Sequence, residues 1–259
     1  MTETLVCGSC GASVPSSHRF CGQCGSPMQG TQPRTAMQTA FFGAIQSDAR
    51  ARLVLIRGEG LDGVTFQLTG RHVAGRSTGS ILFPDDGYLS PRHAEFFFED
   101  ERLYVQDASS LNGVFVRLRA PALLADGEVF LAGEELLRVQ FGGLAGPAIT
   151  GEDGHFFASP MPAVQSRITQ VLEGGRPGLT VVAHAGSLVI GRERADLEFP
   201  NDRFISGRHC RVDFSPAGAT VTDLGSRNGT FVRIRERQAL ADGDHIFLGR
   251  QLLRVELSA

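Results

Sequence analysis

Between Gly75 and Gly113 the chain carries a sparse polar pattern that returns, shifted by 116 residues, between Gly191 and Gly229. Gly75-Arg76, Ser90, His93, Asp107, Ser110 and Asn112-Gly113 correspond to Gly191-Arg192, Ser206, His209, Asp223, Ser226 and Asn228-Gly229. The correspondence runs on without insertion to Leu136-Leu137-Arg138-Val139-Gln140 and Leu252-Leu253-Arg254-Val255-Glu256. Upstream of Gly75 the offset drops to 115, a single one-residue difference. A long repeat of this kind restricts the chain to two like modules of about 100 residues each. The hydrophobic fraction of 42% is enough to give each an ordinary core.

The sequence between the repeated polar residues reads as strand. Leu53–Ile56, Val64–Leu68, His72–Ala74, Ile81–Phe83, His93–Phe98, Leu103–Val105, Val114–Arg117, Glu128–Leu131 and Leu136–Phe141 are short runs, several with alternating apolar and polar residues. Gly, Asp, Asn and Pro separate them at short intervals, and helical periodicity is missing. Many short strands with regular turn signals predict a β-sandwich. The expected organisation is a small N-terminal module over 1–27, a linker over 28–49, one sandwich over 50–142, a Gly/Pro-rich connection over 143–164 and a second sandwich over 165–259. The pairs Phe41-Phe42 and Phe156-Phe157 recur at offset 115 and are expected to pack on their own domains.

Arg, Ser and Asn fall on three separate loops in each copy. Loops gather at the ends of a sandwich, where binding residues sit. An arginine fork and a serine hydroxyl suit a phosphate group, and exposed turn amides add donors. An asparagine can hold an extended peptide through its carbonyl and its amide. Such a set would hold a phosphorylated side chain and the backbone beside it.

Gly-Arg, Ser-x-x-His and Ser-x-Asn-Gly, in that order with strands between them, resemble the forkhead-associated (FHA) domain over roughly 50–141 and 165–257. The resemblance implies a mainly β protein, two FHA-type β-sandwiches in tandem, and binding of phosphothreonine peptides. It assigns the phosphate-contacting arginine to Arg192 and Arg76, the phosphate-binding serine to Ser206 and Ser90, and the peptide-gripping asparagine to Asn228 and Asn112. It makes His209 and His93 loop supports, with Gly75, Gly191, Gly113 and Gly229 freeing the turns. The copies depart from the pattern unequally. The arginine that usually follows the motif serine is Gly207 in the second copy and Pro91 in the first. Before the asparagine stand Arg227, a phosphate partner, and Leu111. After Asn-Gly stand Thr230 and Val114. The second site is therefore expected to be the stronger phosphate binder. The implied role is a non-catalytic adaptor in serine/threonine kinase signalling; the alternative is a scaffold that assembles proteins without phosphate.

At the N-terminus, Cys7-x-x-Cys10 and Cys21-x-x-Cys24 are separated by ten residues. Two short cysteine knuckles supply four thiolates, the tetrahedral set that zinc requires. A segment this short has too little core to fold without such a staple. It resembles the short zinc ribbons of bacterial proteins, with a structural Zn2+ on Cys7, Cys10, Cys21 and Cys24. Cysteines in this pattern fit a reducing cytoplasm.

Other classes are disfavoured. A net charge of −3 and a ribbon holding only Arg19 as a basic residue argue against nucleic-acid binding. The N-terminus lacks the pattern of a signal peptide, and no apolar run is long enough to cross a bilayer. Ser-x-x-His has no nucleophile elbow. His93-Ala94-Glu95 lacks the downstream C-x-x-C of a zinc deaminase. Cys210, at the position of Ala94, reads as a small core residue.

Overall fold

A computed structural model describes residues 4–8, 10–15, 49–58, 63–142, 150–151, 154–155, 157, 159 and 166–258. The chain divides into two compact units, Met1–Asp48 and Ala49–Ala259. In the first, Thr4–Val6 pairs antiparallel with Ser13–Pro15. Cys21, Cys24 and the expected linker lie outside the described residues.

In the second unit the first repeat forms β1 (Ala51–Arg57), β2 (Thr65–Leu68), β3 (His72–Gly75), β4 (Ile81–Leu82), β5 (Ala94–Glu99), β6 (Arg102–Asp107), β7 (Val114–Arg117), β8 (Ala122–Leu124), β9 (Val129–Ala132) and β10 (Glu135–Gln140). The second repeat forms the equivalent β11 (Arg167–Val171), β12 (Pro177–Val182), β13 (Ser187–Gly191), β14 (Leu197–Glu198), β15 (Cys210–Ser215), β16 (Gly218–Asp223), β17 (Thr230–Arg233), β18 (Gln238–Leu240), β19 (His245–Leu248) and β20 (Gln251–Leu257). Alternation decides which face each strand buries. In β1, Ala51, Leu53 and Leu55 point inward; in β20, Gln251, Leu253 and Val255 do. The strand pattern read from the first repeat places its other strands but not β8, and the equivalent β18 is equally short. These are three residues each, too short to show a period.

The pairing corrects the expected domain organisation. Residues 50–142 and 165–259 do not close as separate sandwiches. One ten-stranded sheet runs β12-β11-β10-β9-β17-β7-β19-β20-β1-β2, and two five-stranded sheets run β18-β6-β5-β3-β4 and β8-β16-β15-β13-β14. After β7 the first repeat crosses over and completes the second repeat's sandwich with β8, β9 and β10. After β17 the second repeat does the reverse. The cores record this exchange. Leu53, Phe96, Leu103 and Val116 share a core with Ile234, Leu240, Ile246, Leu253 and Val255. Phe130, Leu137 and Val139 share the other with Ile168, Ile190, Cys210 and Val221. Removing a buried leucine side chain costs about 2–5 kcal/mol. Leu253, fully buried, therefore stabilises a sandwich whose loops belong to the other repeat.

The crossing is symmetric. β7 and β17 pair antiparallel with Phe115 opposite Arg233, Val116 opposite Val232 and Arg117 opposite Phe231. Equivalent residues thus face each other across a local twofold axis between Val116 and Val232. Leu118 N–H donates to Thr230 O and Ile234 N–H to Val114 O, at 2.8 and 2.9 Å, which extends the ladder in both directions. Arg119 pairs with Asp244, and the equivalent Arg235 pairs with Glu128. This is domain swapping within one chain. Because Val116 and Val232 are opposite each other and each faces a core, both five-stranded sheets cover the same side of the long sheet. The other side carries an apolar cluster of Phe115, Phe231 and Phe247, with Val129, Leu131, Leu136 and Leu252 packed on it. Phe157 does not pack on a sandwich as its repetition suggested; it is 98% exposed.

A cross-linking experiment reads the exchange directly. Leu123 is the register partner of Thr220, and Tyr104 that of Ala239. Cysteines at 123 and 220 should be bridged within one chain by a short bifunctional thiol-reactive cross-linker, and cysteines at 123 and 104 should not. The reverse result would mean that each repeat closes on itself.

Candidate functional site

Each polar array assembles at one end of its sandwich through backbone contacts. In the second, Arg192 follows β13, and its N–H donates to Ser206 O at 2.9 Å. Ser206 Oγ accepts the Arg227 N–H at 3.1 Å, leaving the hydroxyl proton to donate outward. Asn228 Nδ2 donates to Phe204 O at 2.7 Å. This differs from the expectation that the whole amide is available to a peptide: one amide hydrogen is committed, and Oδ1 and the second hydrogen remain. The first copy repeats the design. Arg76 N–H donates to Ser90 O at 3.0 Å, Leu111 N–H to Ser90 Oγ at 3.0 Å, and Asn112 Nδ2 to Tyr88 O at 2.7 Å. All seven binding residues expected from the sequence are therefore brought together in their two sets.

The histidines latch the loops. Ser206 N–H donates to His209 Nδ1 at 3.0 Å, and His209 Nε2 lies 3.1 Å from Gly229 O. In the first copy Ser90 N–H donates to His93 Nδ1 at 3.1 Å, and His93 Nε2 lies 2.9 Å from Gly113 O. An acceptor at Nδ1 and a carbonyl at Nε2 require the neutral Nε2–H tautomer. Both rings are fully buried. Burial pushes their pKa below the ordinary histidine value, against the opposing pull of the glycine carbonyl and nearby carboxylates. Both nitrogens are committed to backbone, and the serine hydroxyl contacts an amide rather than the imidazole. The arrangement is a brace and not a nucleophile–base pair.

Two glycine positions in each copy are required by contact. A Cβ at Gly191 would lie 2.0 Å from Gly207 O, and one at Gly75 would lie 2.1 Å from Pro91 O. Gly229 and Gly113 have φ of 85° and 84°, in the region that favours glycine. A Cβ there would strike Arg117 and Arg233 respectively. These arginines come from the opposite repeat, because β7 lies beside β17. Sequence reading had no signal for them.

Asp223 ties the Asn-Gly loop together. It accepts from the Ser226 N–H, the Ser226 hydroxyl at 2.7 Å and the Thr230 hydroxyl at 2.7 Å. Burial alone would raise its pKa, but these hydrogen bonds and His209 hold it below the usual carboxylate value. Thr230 is fully buried and serves this loop. Val114 leaves Asp107 without that donor; Asp107 accepts the Ser110 N–H and has Arg233 at 3.8 Å. The surfaces differ too. Arg192 and Arg227 are exposed in the second copy, whereas Leu111, in the place of Arg227, is 84% exposed in the first. Cys210 is buried in the core, and burial pushes its thiol pKa up.

The family model described as FHA domain matches residues 69–133 and 188–249. The oxoglutarate dehydrogenase inhibitor of Corynebacterium glutamicum is 34% identical over 119 residues, 44% of this chain and 79% of the relative. The chain belongs to the FHA domain family. The glycogen accumulation regulator GarA of Mycobacterium tuberculosis is 42% identical over 84 residues, 31% of this chain and 49% of GarA; the chain thus spans about half the length of that relative. A solved FHA domain from a structural and functional analysis of phosphothreonine-dependent FHA domain interactions is 33% identical, covering 34% of this chain and 90% of that one, with a TM-score of 0.20. Both matched FHA segments run through the crossing: the family pattern is contiguous in sequence, while the sandwiches are not.

The latches predict a pH dependence. Above about pH 6.5 the histidines are neutral in folded and unfolded chains, and the braces contribute fully. Below it the unfolded chain takes up protons that the folded latches resist, so stability falls with pH. His72 and His245 are shifted the same way by burial and add to the slope. Thermal melting between pH 7.5 and 5 should fall more steeply for the wild type than for the His93→Gln, His209→Gln double variant. Equal slopes would show that the latches do not titrate as described.

Proposed function

We propose that the chain is a non-catalytic phosphothreonine-peptide-binding adaptor in serine/threonine kinase signalling, with the Arg192 site the principal phosphate binder. The observation that carries this reading is the second site's surface. Arg192 and Arg227 are exposed beside the Ser206 hydroxyl, and no side-chain carboxylate forms an ion pair with either among the described residues. Two guanidinium forks and a hydroxyl suit a phosphate dianion, and Asn228 stands beside them for the peptide backbone. In the first site Leu111 stands where the second has Arg227. One missing charged hydrogen bond is worth about 1.5–3 kcal/mol, roughly ten- to a hundredfold in affinity. The relatives' names, a regulator and an inhibitor, agree with a protein that acts by binding. Partners are then phosphothreonine proteins, among them kinases or their substrates. No helix among the described residues is long and apolar enough to cross a membrane, and we place the adaptor in the cytoplasm.

The exchange decides how this is tested. Each site's loops rest on strands of the other repeat, so single-site variants of the whole chain replace isolated halves. Arg192→Ala and Ser206→Ala should each lower affinity for phosphothreonine peptides by about tenfold or more, read by fluorescence anisotropy, with a smaller loss for Arg76→Ala. A larger loss from Arg76→Ala would reverse the ranking. A scaffold would keep its partners in all three variants.

The N-terminal segment we assign as a zinc ribbon. Cys7 is buried at the mouth of a tight turn, with its N–H donating to Ala12 O and the Gly11 N–H donating to Cys7 O, both at 2.9 Å. A turn closed between Cys7 and Gly11 is compatible with a zinc knuckle built on Cys7 and Cys10. Cys21 and Cys24 would complete a closed structural site that supplies folding energy and no catalysis. Elemental analysis of the purified protein should find one zinc per chain, lost in Cys7→Ser and Cys21→Ser. Zinc-free native protein would remove the assignment.

A further inference from the structure

From the turn at Asn112-Gly113, an open cleft of about 880 Å³ crosses the uncovered side of the ten-stranded sheet. It starts at Leu111 and Asn112, passes Arg233, runs over Val129, Leu131 and Leu136, and ends at Leu172. Its first residues belong to the Arg76 site. Its floor belongs to the opposite sandwich. The cleft exists because β17 lies against β7 and sets the outer face of β9, β10 and β11 level with the site.

The equivalent path from Asn228 is built differently. Leu172 corresponds to Arg57, Leu131 to Phe247, Val129 to His245 and Leu111 to Arg227. There the Arg57 guanidinium lies 4.3 Å from the Phe204 ring centroid and 5.3 Å from that of Phe247, with Arg203 on Phe204 at 5.3 Å. Arginine occupies the path beside Arg192. Beside Arg76 the same places hold Leu172, 44% exposed, and Leu111, 84% exposed. Tyr88, whose carbonyl takes Asn112, borders this cleft. Its hydroxyl donates to Glu173 of the opposite sandwich at 3.0 Å, and Arg250 lies over its ring at 4.6 Å. Exposed Leu111 and Leu172 at its two ends, with Val129, Leu131 and Leu136 between them beside the charged Glu134, Arg138 and Arg233, are continuous with Asn112 and match an extended peptide with apolar residues.

We infer that the Arg76 site recognises phosphothreonine peptides by an apolar flank, seated in the cleft that Leu111 and Leu172 of opposite repeats border. This rests on the phosphothreonine reading above. The occupant is the stretch of the same peptide that Asn112 holds next to the phosphothreonine. Burial of one large apolar side chain is comparable with the charged contact that this site lacks, so the flank offsets the weaker phosphate grip. The Arg192 site, with Arg57 in the corresponding place, has no such preference.

The test uses the whole chain carrying Arg192→Ala and Ser206→Ala, so that only the first site reports. Fluorescence anisotropy is measured with phosphothreonine peptides whose flanks carry leucine or aspartate, and with the unphosphorylated leucine peptides. Leucine-flanked phosphopeptides should bind at least tenfold more tightly than aspartate-flanked ones. Adding Leu172→Asp, or Leu172→Arg to copy the second site, should erase that difference. Both substitutions are at a half-exposed position, and an unchanged melting temperature checks the fold. Equal binding of both flanks, a preference that survives at position 172, or equal binding of unphosphorylated leucine peptides would each overturn the inference. In those cases binding of phosphopeptides by the unsubstituted chain still upholds the adaptor reading. If the unsubstituted chain binds no phosphothreonine peptide, that reading fails and the inference fails with it.

Discussion

The antiparallel pairing of Val114–Arg117 with Thr230–Arg233 is the contact on which the body of the molecule turns. In a sandwich closed on itself, the strand after the Asn-Gly turn would meet a neighbour of its own repeat. Here it meets its own counterpart, in a register that sets Val116 against Val232. That pairing adds a ladder which separate sandwiches would not have. It sends each repeat's last three strands into the other core and joins two sheets of five strands into one of ten. The side chains that fill the cores, among them Ile246 and Leu253 in one and Phe130 and Leu137 in the other, are held in place by this contact. The strands gain no new kind of interaction; the ladder at the axis is the surplus over two closed copies.

The binding ends inherit their rigidity from local chemistry and their differences from the exchange. In each copy a neutral histidine bridges the serine loop and the Asn-Gly turn and holds the loops at fixed spacing in the free protein. Such preorganisation reduces the entropy lost on binding. The surroundings then diverge. Arg57 reaches Phe204 beside one site, and Leu172 borders the cleft beside the other; both are supplied by the opposite repeat. A tandem that closed domain by domain would have two sites flanked only by their own sequence.

Much of the site could be read before the fold was known. Arg, Ser and Asn with their glycines and histidines recur at one offset, and contacts this short-range follow from loop and strand order. Ser206 to His209 and Ser226 to Gly229 each span three residues, within reach of one turn. Other features left no local trace. Ala122–Leu124 and Gln238–Leu240 are too short to show alternation. Arg117 and Arg233 look like strand ends, and nothing in their neighbourhood marks them as companions of the other copy's glycine. Thr230 stands out in sequence for its place after Asn-Gly, but its bond to Asp223 depends on a turn geometry that sequence does not display. The amide of Asn228 was expected to face a peptide; part of it is used on the Phe204 carbonyl.

What the sequence by itself determined is therefore the module: a mainly β chain, an FHA pattern written twice, two sets of polar residues and their inequality at Leu111 and Arg227. These follow from alternation and spacing, which act over a few residues. Only the tertiary structure decided which strands complete which sandwich. The two repeats present nearly equivalent partners for every ladder, so local pattern cannot choose between them. The choice falls to the one contact that involves both copies at once, the pairing of β7 with β17. With it comes the composition of the cleft beside Asn112, whose floor lies in one repeat and whose asparagine lies in the other.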